Sequence, residues 1–147
     1  MLKSLFSVDK SFKWQYSAIC QKGGVSQLEE FFATLTGKDR TVFAKLLVMI
    51  REFAKETKSP HLLPDDWCHQ VHKKPPIWEF IKGSFRIFWF DGEGKAIVCS
   101  SSLRKKGNKA DKAAVADAIK KRDEYISSKQ KELAPSDIWT DMGLEKL

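Results

Sequence analysis

The sequence predicts an α+β domain, in which one N-terminal strand is followed by two helices, three strands and a last helix. Three observations predict this class. Apolar residues recur at helical spacing in two early segments, alternate as in strands after Pro76, and return to helical spacing near the C-terminus. The chain has 147 residues, 42% of them hydrophobic and 31% charged, which is a globular composition. We expect one domain over residues 1–134 and an acidic C-terminal tail over residues 135–147.

The first half of the chain predicts a strand followed by a helical hairpin. Residues 12–19, FKWQYSAI, place aromatic and β-branched side chains at nearly alternate positions, as a strand does. Ser26 and Glu29 have the spacing of a capping box, and the helix that they begin is expected to end at Gly37. A second apolar stripe at helical spacing predicts a helix over residues 39–58, which the next proline stops.

The segment 61–76 is expected to be irregular, because it holds three of the five prolines. It also holds all three histidines, His61, His69 and His72. The spacing of His69 and His72 could serve a zinc site, but no set of Cys or carboxylate residues completes one. We therefore expect no metal and no cofactor.

After this segment the pattern predicts an antiparallel meander of three strands, over residues 77–81, 85–90 and 95–101. Asp91 and Gly92 between apolar runs are a strong hairpin signal. In the central strand the side chains of residues 85, 87 and 89 share one face, and those of residues 86, 88 and 90 share the other. Apolar residues on both faces indicate that this strand is covered on both sides.

Positive charge is concentrated in the second half of the chain. The net charge is +7, and residues 73–131 carry 15 Lys and Arg against 7 Asp and Glu. The basic loop at residues 103–109, LRKKGNK, precedes a helix predicted over residues 110–130. A concentrated basic surface favours a polyanion through counterion release, although a solvated lysine-rich surface has the same composition.

The remaining bulk features predict a cytoplasmic protein. Cys20, Cys68 and Cys99 form no CxxC pair, so we expect free and mostly buried thiols in a reducing compartment. No apolar run approaches the roughly 18 residues that a membrane helix needs. The first residues lack the apolar stretch and cleavage site of a secretion signal, so we expect neither secretion nor membrane contact.

Three short pieces carry the candidate chemistry: IWEFI at residues 77–81, FRIFWF at 85–90 and LRKK at 103–106. Neighbouring strands of a meander bring Glu79 and Arg86 towards this basic loop. Arginine suits a phosphate, because its planar guanidinium donates two parallel hydrogen bonds at once.

These pieces resemble the RelE/ParE superfamily of toxins, and most closely its HigB-like, phage-type branch. That branch has a Leu-Trp-Glu-Leu-Arg strand, an Arg-Ile-Phe-Tyr-Phe strand, and a hydrophobic strand that runs into Phe-x-Lys-Lys and a helix. The resemblance covers about residues 12–131, in the family order β, α, α, β, β, β, α. It implies a RelE-like fold, with a small antiparallel sheet made of the meander and the N-terminal strand, an N-terminal helical hairpin and a C-terminal helix.

The resemblance also implies a function. Its members are toxins of type II toxin–antitoxin systems that mostly cut mRNA, many of them on the ribosome. The 2′-hydroxyl of the RNA attacks the adjacent phosphate, which requires a base, cations on the phosphate and an acid for the leaving 5′-oxygen. The implied partners are mRNA, the ribosome and an antitoxin with a helix-turn-helix.

By this resemblance Arg86 and Arg104 bind the phosphate. Independently of the family pattern, Glu79, Tyr125 or a mobile His72 could act on protons. The residues expected to hold the RNA backbone are Lys82, Lys105, Lys106 and Lys109. Structural alternatives exist for two of these residues. Arg86 could be an ion-pair partner of Glu79 inside the sheet, and Tyr125 could be a helix residue packed on the sheet.

The chain departs from the family pattern where the base is expected. The strand around Trp78 lacks the catalytic lysines of some relatives, and residues 99–102, CSSS, stand where others have histidine. Ile81 replaces the usual Arg, and Leu103 replaces the usual Phe. Three functions therefore stay open: an mRNA endonuclease, a non-enzymatic toxin such as the gyrase inhibitors of the same fold, and a nucleic-acid or protein-binding module.

Overall fold

The computed structural model describes residues 1–7, 11–21, 23–107, 111–128 and 132–146, and it confirms the α+β class. The strands are β1 (Leu2–Ser4), β2 (Gln15–Ile19), β3 (Cys68–His72), β4 (Ile77–Lys82), β5 (Phe85–Asp91) and β6 (Ala96–Arg104). The helices are α1 (Gln27–Ala33), α2 (Gly37–Lys55), α3 (Lys112–Ser127) and α4 (Ile138–Asp141), with short 3-10 helices at Pro60–Leu62 and Leu144–Lys146.

The six strands form one sheet in the order β1-β2-β6-β5-β4-β3. The predicted meander is present, because β4, β5 and β6 are antiparallel neighbours. The N-terminal strand β2, however, pairs with β6 in parallel, so the prediction of an antiparallel sheet is wrong in this part. Parallel neighbours need a crossover connection, and the helical hairpin together with β3, β4 and β5 supplies it.

The sequence analysis did not predict two of the strands, β1 and β3. β1 has three residues, too few for an alternating pattern. β3 lies in the segment 61–76 that we expected to be irregular. The prolines of that segment flank the strand instead of interrupting it: Pro64 precedes β3, and Pro75 and Pro76 lie in the turn to β4. In those places the missing N–H removes no bond of the ladder.

The central strand β5 is covered on both faces, as its sequence pattern predicts. Phe85, Ile87 and Trp89 pack in the main core beneath α1 and α2. Phe88 and Phe90 pack in a second core beneath α3. A register shift between Phe88 and Trp89 bends the strand without exposing either ring. Helices therefore cover both faces of the sheet.

The helical hairpin follows the sequence prediction with different boundaries. Ser26 forms the predicted capping box: its Oγ accepts the N–H of Glu29, and the Glu29 carboxylate accepts the N–H of Ser26. α1 ends at Ala33, and Gly37 begins α2 instead of ending α1. α2 is the longest helix of the described chain and buries its apolar stripe against the sheet.

The C-terminal residues pack on the sheet. Ile138 and Leu144 are buried in the main core, although the sequence set their segment apart as an acidic tail. Lys3 of β1 is only 2% exposed and forms ion pairs with Glu29 and with Asp141 of α4. This buried ammonium ties the N-terminal strand to α1 and to the C-terminal segment.

The three cysteines are buried and free, as predicted. Burial raises the pKa of the Cys68 thiol to about 12, so this side chain is a poor nucleophile at neutral pH. Within the described ranges no helix is long and apolar enough to span a bilayer.

Candidate nucleic-acid interface

Four polar side chains from neighbouring strands meet on the face of the sheet beneath α3. They are His69 of β3, Glu79 of β4, Arg86 of β5 and Lys105, which follows β6, and we call them the polar cluster. His69 lies directly opposite Glu79 in the ladder, and Arg86 lies on the next strand opposite Ile81. The cluster lines a cleft of about 130 Å³. The other lining residues are Val71, Phe88, Leu103 and Asp111.

Glu79 is the buried carboxyl group of the cluster, with a side chain only 5% exposed. Its Oε1 lies 3.6 Å from Nε of Arg86 and 4.0 Å from Nε2 of His69. Burial raises the pKa of Glu79 above its ordinary value, and the opposing positive charges of Arg86, His69 and Lys105 do not offset this effect. A carboxyl group whose pKa moves towards neutral is better suited to exchange protons with a substrate.

Arg86 is anchored by its backbone surroundings as well as by Glu79. Its Nη1 donates to the carbonyl oxygens of Gly83 at 2.7 Å and Phe85 at 2.9 Å. Its Nε is buried and has no hydrogen-bond partner among the described residues, although the Glu79 carboxylate lies within ion-pair distance. The ion pair that sequence analysis left as an alternative is therefore present. Both of these backbone hydrogen bonds use Nη1, so they leave Nη2 unused.

The charge of the cleft depends on the protonation of Glu79. Arg86 and Lys105 bring two positive charges, which Glu79 and Asp111 offset when both carboxyl groups are ionised. The Asp111 carboxylate is held in place as the N-cap of α3, where it accepts the N–H of Ala114 at 2.9 Å. The cleft is therefore close to neutral while Glu79 is ionised and becomes positive when Glu79 takes up a proton.

Arg104 and Lys82 lie on the other face of the sheet. Each stands directly opposite Phe85 in its ladder, and opposite residues share a face. The Arg104 guanidinium carbon lies 5.0 Å from the centroid of the Phe85 ring, and the side chain forms an ion pair with Asp39 of α2. This corrects the expectation that Arg104 joins Arg86 on one phosphate and that Lys82 adds to the same surface.

We expect Arg104→Ala to leave the chemistry of the cleft intact. The substitution removes a half-exposed ion pair and a cation–π contact, each worth up to about 1 kcal/mol. The free energy of unfolding should fall by about 1 kcal/mol. The RNA cleavage that the sequence resemblance implies should stay within about twofold of wild type per folded molecule. Chemical denaturation and a cleavage assay on the same sample measure both. A large loss of cleavage without a loss of stability would indicate that Arg104 does bind the phosphate.

The basic loop after β6 meets the cleft through Lys105. The backbone N–H of Lys105 donates to the carbonyl of Ser84 at 2.6 Å, which fixes the start of the loop against the β4–β5 turn. The Lys105 side chain lines the cleft, and Lys106 is exposed beside it. Lys109, also expected to bind RNA, lies outside the described residues.

Tyr125 lies far from the polar cluster. Its ring packs on Phe90, with 5.7 Å between centroids, and its hydroxyl accepts the N–H of Glu93 at 3.1 Å. Glu93 follows the end of β5, whereas Arg86 is near the beginning, which puts about 20 Å of extended chain between them. The structure therefore does not bring Tyr125 to the polar cluster, and it places this residue on α3, packed on the sheet.

His69 is the cluster residue that the sequence analysis missed. It was considered only as a zinc partner of His72, whose Nδ1 instead forms a hydrogen bond of 2.8 Å with the Pro75 carbonyl. The available signal was positional, because a strand hydrogen-bonded to β4 would place His69 opposite Glu79. In the described part of the chain no three His, Cys, Asp or Glu side chains are grouped to hold a metal ion.

Comparison with known proteins gives no family for this chain. No protein-family model matches it. No curated protein matches it at a significant level of sequence similarity. The support for a function therefore comes from the polar cluster and from the basic residues around it.

Proposed function

We propose that this chain is a metal-independent endoribonuclease that acts in the cytoplasm as the toxin of a type II toxin–antitoxin pair. One observation carries the proposal: a buried carboxyl group with a raised pKa stands beside a guanidinium, an ammonium and an exposed imidazole in one cleft. These are the groups that cleavage of RNA by its own 2′-hydroxyl requires. The excess of basic residues in the second half of the chain supports a polyanionic substrate.

The order of the elements supports the same class of protein. Apart from the added strands β1 and β3, the chain runs strand, helical hairpin, three-stranded meander and helix, which is the order of the RelE/ParE superfamily. We include a RelE-like fold and an antitoxin partner in the proposal. A partner that covers the polar cluster would block its access to RNA, whether free or on the ribosome.

In the proposed reaction Glu79 takes the proton of the 2′-hydroxyl while that oxygen bonds to the phosphorus. The bond from phosphorus to the 5′-oxygen breaks, and His69 in its protonated form gives a proton to the leaving oxygen. The products are a 2′,3′-cyclic phosphate and a 5′-hydroxyl. Arg86 and Lys105 stabilise the negative charge on the phosphate oxygens during this step.

The burial of the two proton-transfer groups supports this division of roles. In-line attack places the 2′- and 5′-oxygens on opposite sides of the phosphorus. Glu79 is buried on a strand that is paired on both sides, whereas His69 is 45% exposed on the outermost strand. In the proposed reaction the exposed imidazole rotates to the far side of the bound phosphate. The fixed carboxylate is therefore assigned as the base and the exposed imidazole as the acid.

His69→Ala should distinguish these roles. On ordinary RNA we expect cleavage to fall by roughly 10²-fold or more, the usual scale for losing a general acid. On a ribonucleoside 3′-aryl phosphate, whose leaving group needs no proton, the loss should shrink to within a few-fold. Glu79→Gln should reduce cleavage of both substrates, because the attacking hydroxyl is the same. Equal losses of His69→Ala on both substrates would remove His69 as the acid.

Expression of the chain without a partner tests the cellular role. We expect bacterial growth to stop, with translation arrested before replication, because the free cleft would cut mRNA. Glu79→Gln, produced at the same level, is the matched control and should be tolerated. Pulse labelling of protein and DNA measures the order of arrest. If DNA synthesis halted first while mRNA stayed intact, the chain would instead act as a non-enzymatic inhibitor of the gyrase type.

A further inference from the structure

The two edge strands of the sheet, β1 and β3, differ in whether another segment pairs with their outer side. At one edge, β1 is bridged by the C-terminal segment: Leu2 donates its N–H to the Glu132 carbonyl at 2.8 Å, and its own carbonyl accepts the N–H of Ala134 at 2.7 Å. At the other edge β3 is the outermost strand, and none of the described segments pairs with its outer side. Such an open edge can pair with another chain.

The available backbone groups of this edge are centred on Gln70. The N–H of Ile81 donates to the Trp67 carbonyl, so the alternation of an antiparallel ladder turns the N–H and carbonyl of Gln70 away from β4. The next outward N–H towards the N-terminus, that of Cys68, already donates to the Pro64 carbonyl at 3.1 Å. The register of the β3–β4 ladder shifts between Gln70 and His72, so this alternation holds as far as Gln70, and a pairing strand would be centred there.

Charged residues flank β3 with opposite signs at its two ends. Asp65 and Asp66 precede the strand, Lys73 and Lys74 follow it, and all four are exposed. An antiparallel partner strand of the same sequence, related by a two-fold axis near Gln70, would place its lysines beside these aspartates and its aspartates beside these lysines. The edge is thus complementary to itself, as a two-fold interface requires.

We propose that the outer edge of β3 pairs with the same edge of a second copy of this chain. Two six-stranded sheets then become one continuous sheet, with ion pairs at both ends of the β3–β3 contact. Trp67, which is 46% exposed beside the strand, loses water contact in this dimer. The proposal does not rest on the proposed function, because it follows from the open edge and the flanking charges alone, although His69 belongs to the pairing strand.

In such a dimer the two polar clusters face the same side. The two-fold axis of an antiparallel edge contact is perpendicular to the sheet, so both copies present the α3 side in the same direction. The two polar clusters then lie on one surface, close to the axis through His69 of each copy. The Cys68 N–H is already bonded and the register shifts after Gln70, so the contact is short and buries less than the roughly 1,000 Å² of a tight interface. The association is therefore weak and needs a high protein concentration.

Sedimentation velocity over a range of protein concentrations tests the proposal. Wild type should shift from monomer to dimer as concentration rises. Asp65→Lys with Asp66→Lys, or Lys73→Glu with Lys74→Glu, should weaken the dimer by roughly tenfold or more, because like charges then face each other. The chain with all four substitutions should regain the wild-type dimerisation constant within about threefold. Lys38→Glu with Lys45→Glu, on the exposed side of α2, is the matched control and should change nothing.

Three results would overturn the proposal. One is a wild-type chain that stays monomeric at every concentration reached. Another is a fourfold-substituted chain that dimerises no better than either pair of substitutions alone. The third is a control on α2 that weakens the dimer as much as the changes beside β3 do, since net charge would then explain the effect.

Discussion

Glu79→Gln is expected to reduce RNA cleavage by roughly 10²- to 10⁴-fold, the contribution of a positioned general base. The amide keeps the shape of the carboxyl group beside Arg86 and His69 but cannot take the 2′-hydroxyl proton. The measurement is the single-turnover cleavage rate per folded molecule. Glu52→Gln is the matched control and should leave the rate unchanged, because Glu52 is an exposed carboxylate of α2 whose ion pair, among the described residues, is with Lys55.

The pH dependence of stability gives Glu79→Gln a second readout. Burial raises the pKa of Glu79 in the folded state, so the folded chain binds more protons than the unfolded chain between the two pKa values. The free energy of unfolding contributed by this group therefore falls as pH rises through that window. Glu79→Gln should remove this fall, as urea denaturation at mildly acidic and neutral pH would show. In the cleavage assay, a Glu79→Gln chain that kept the wild-type rate would show that Glu79 is not the base.

Arg86→Lys is expected to reduce cleavage by roughly 10²-fold, the usual scale for removing one donor to the transition state. Lysine keeps the positive charge but lacks the planar guanidinium group, which donates two parallel hydrogen bonds. It also loses the two Nη1 hydrogen bonds to Gly83 and Phe85, so the free energy of unfolding should fall by about 1–2 kcal/mol. Thermal melts and single-turnover rates on the same samples separate the two effects.

The two roles of Arg86 make different predictions. If it only pairs with Glu79 and holds the β4–β5 turn, Arg86→Lys would be destabilised but fully active per folded molecule. That result would remove Arg86 from the phosphate site. Arg40→Lys is the control, because the Arg40 guanidinium also donates a hydrogen bond to a backbone carbonyl, that of Phe32, but Arg40 lies on the helical hairpin. It should lose stability without losing cleavage.

The features that sequence predicted correctly are those set by local chemistry. The capping box of Ser26 and Glu29 depends on a spacing of three residues, and the structure contains it. The alternation through Phe85, Ile87 and Trp89 separates the two faces of β5 because side chains of a strand alternate. The contact of Glu79 with Arg86 follows from the tight turn between two neighbouring strands.

The features that sequence did not predict depend on strand limits and distant pairing. β6 runs three residues beyond its predicted end, so the alternation continues and places Arg104 and Lys105 on opposite faces. The parallel pairing of β2 with β6 joins segments about eighty residues apart, which no local pattern reports. β3 was hidden by its flanking prolines, and His69 was missed with it.

The ends of the RNA products test the central claim most directly. Purified protein is incubated with a short RNA in the presence of a metal chelator, alongside the same RNA with a single 2′-deoxynucleotide at the cut site. We predict a 2′,3′-cyclic phosphate and a 5′-hydroxyl from the first, and no cut at that position in the second, because the 2′-oxygen is the attacking group. Products with a 3′-hydroxyl and a 5′-phosphate, or cleavage of the deoxy-substituted site, would contradict the proposed reaction.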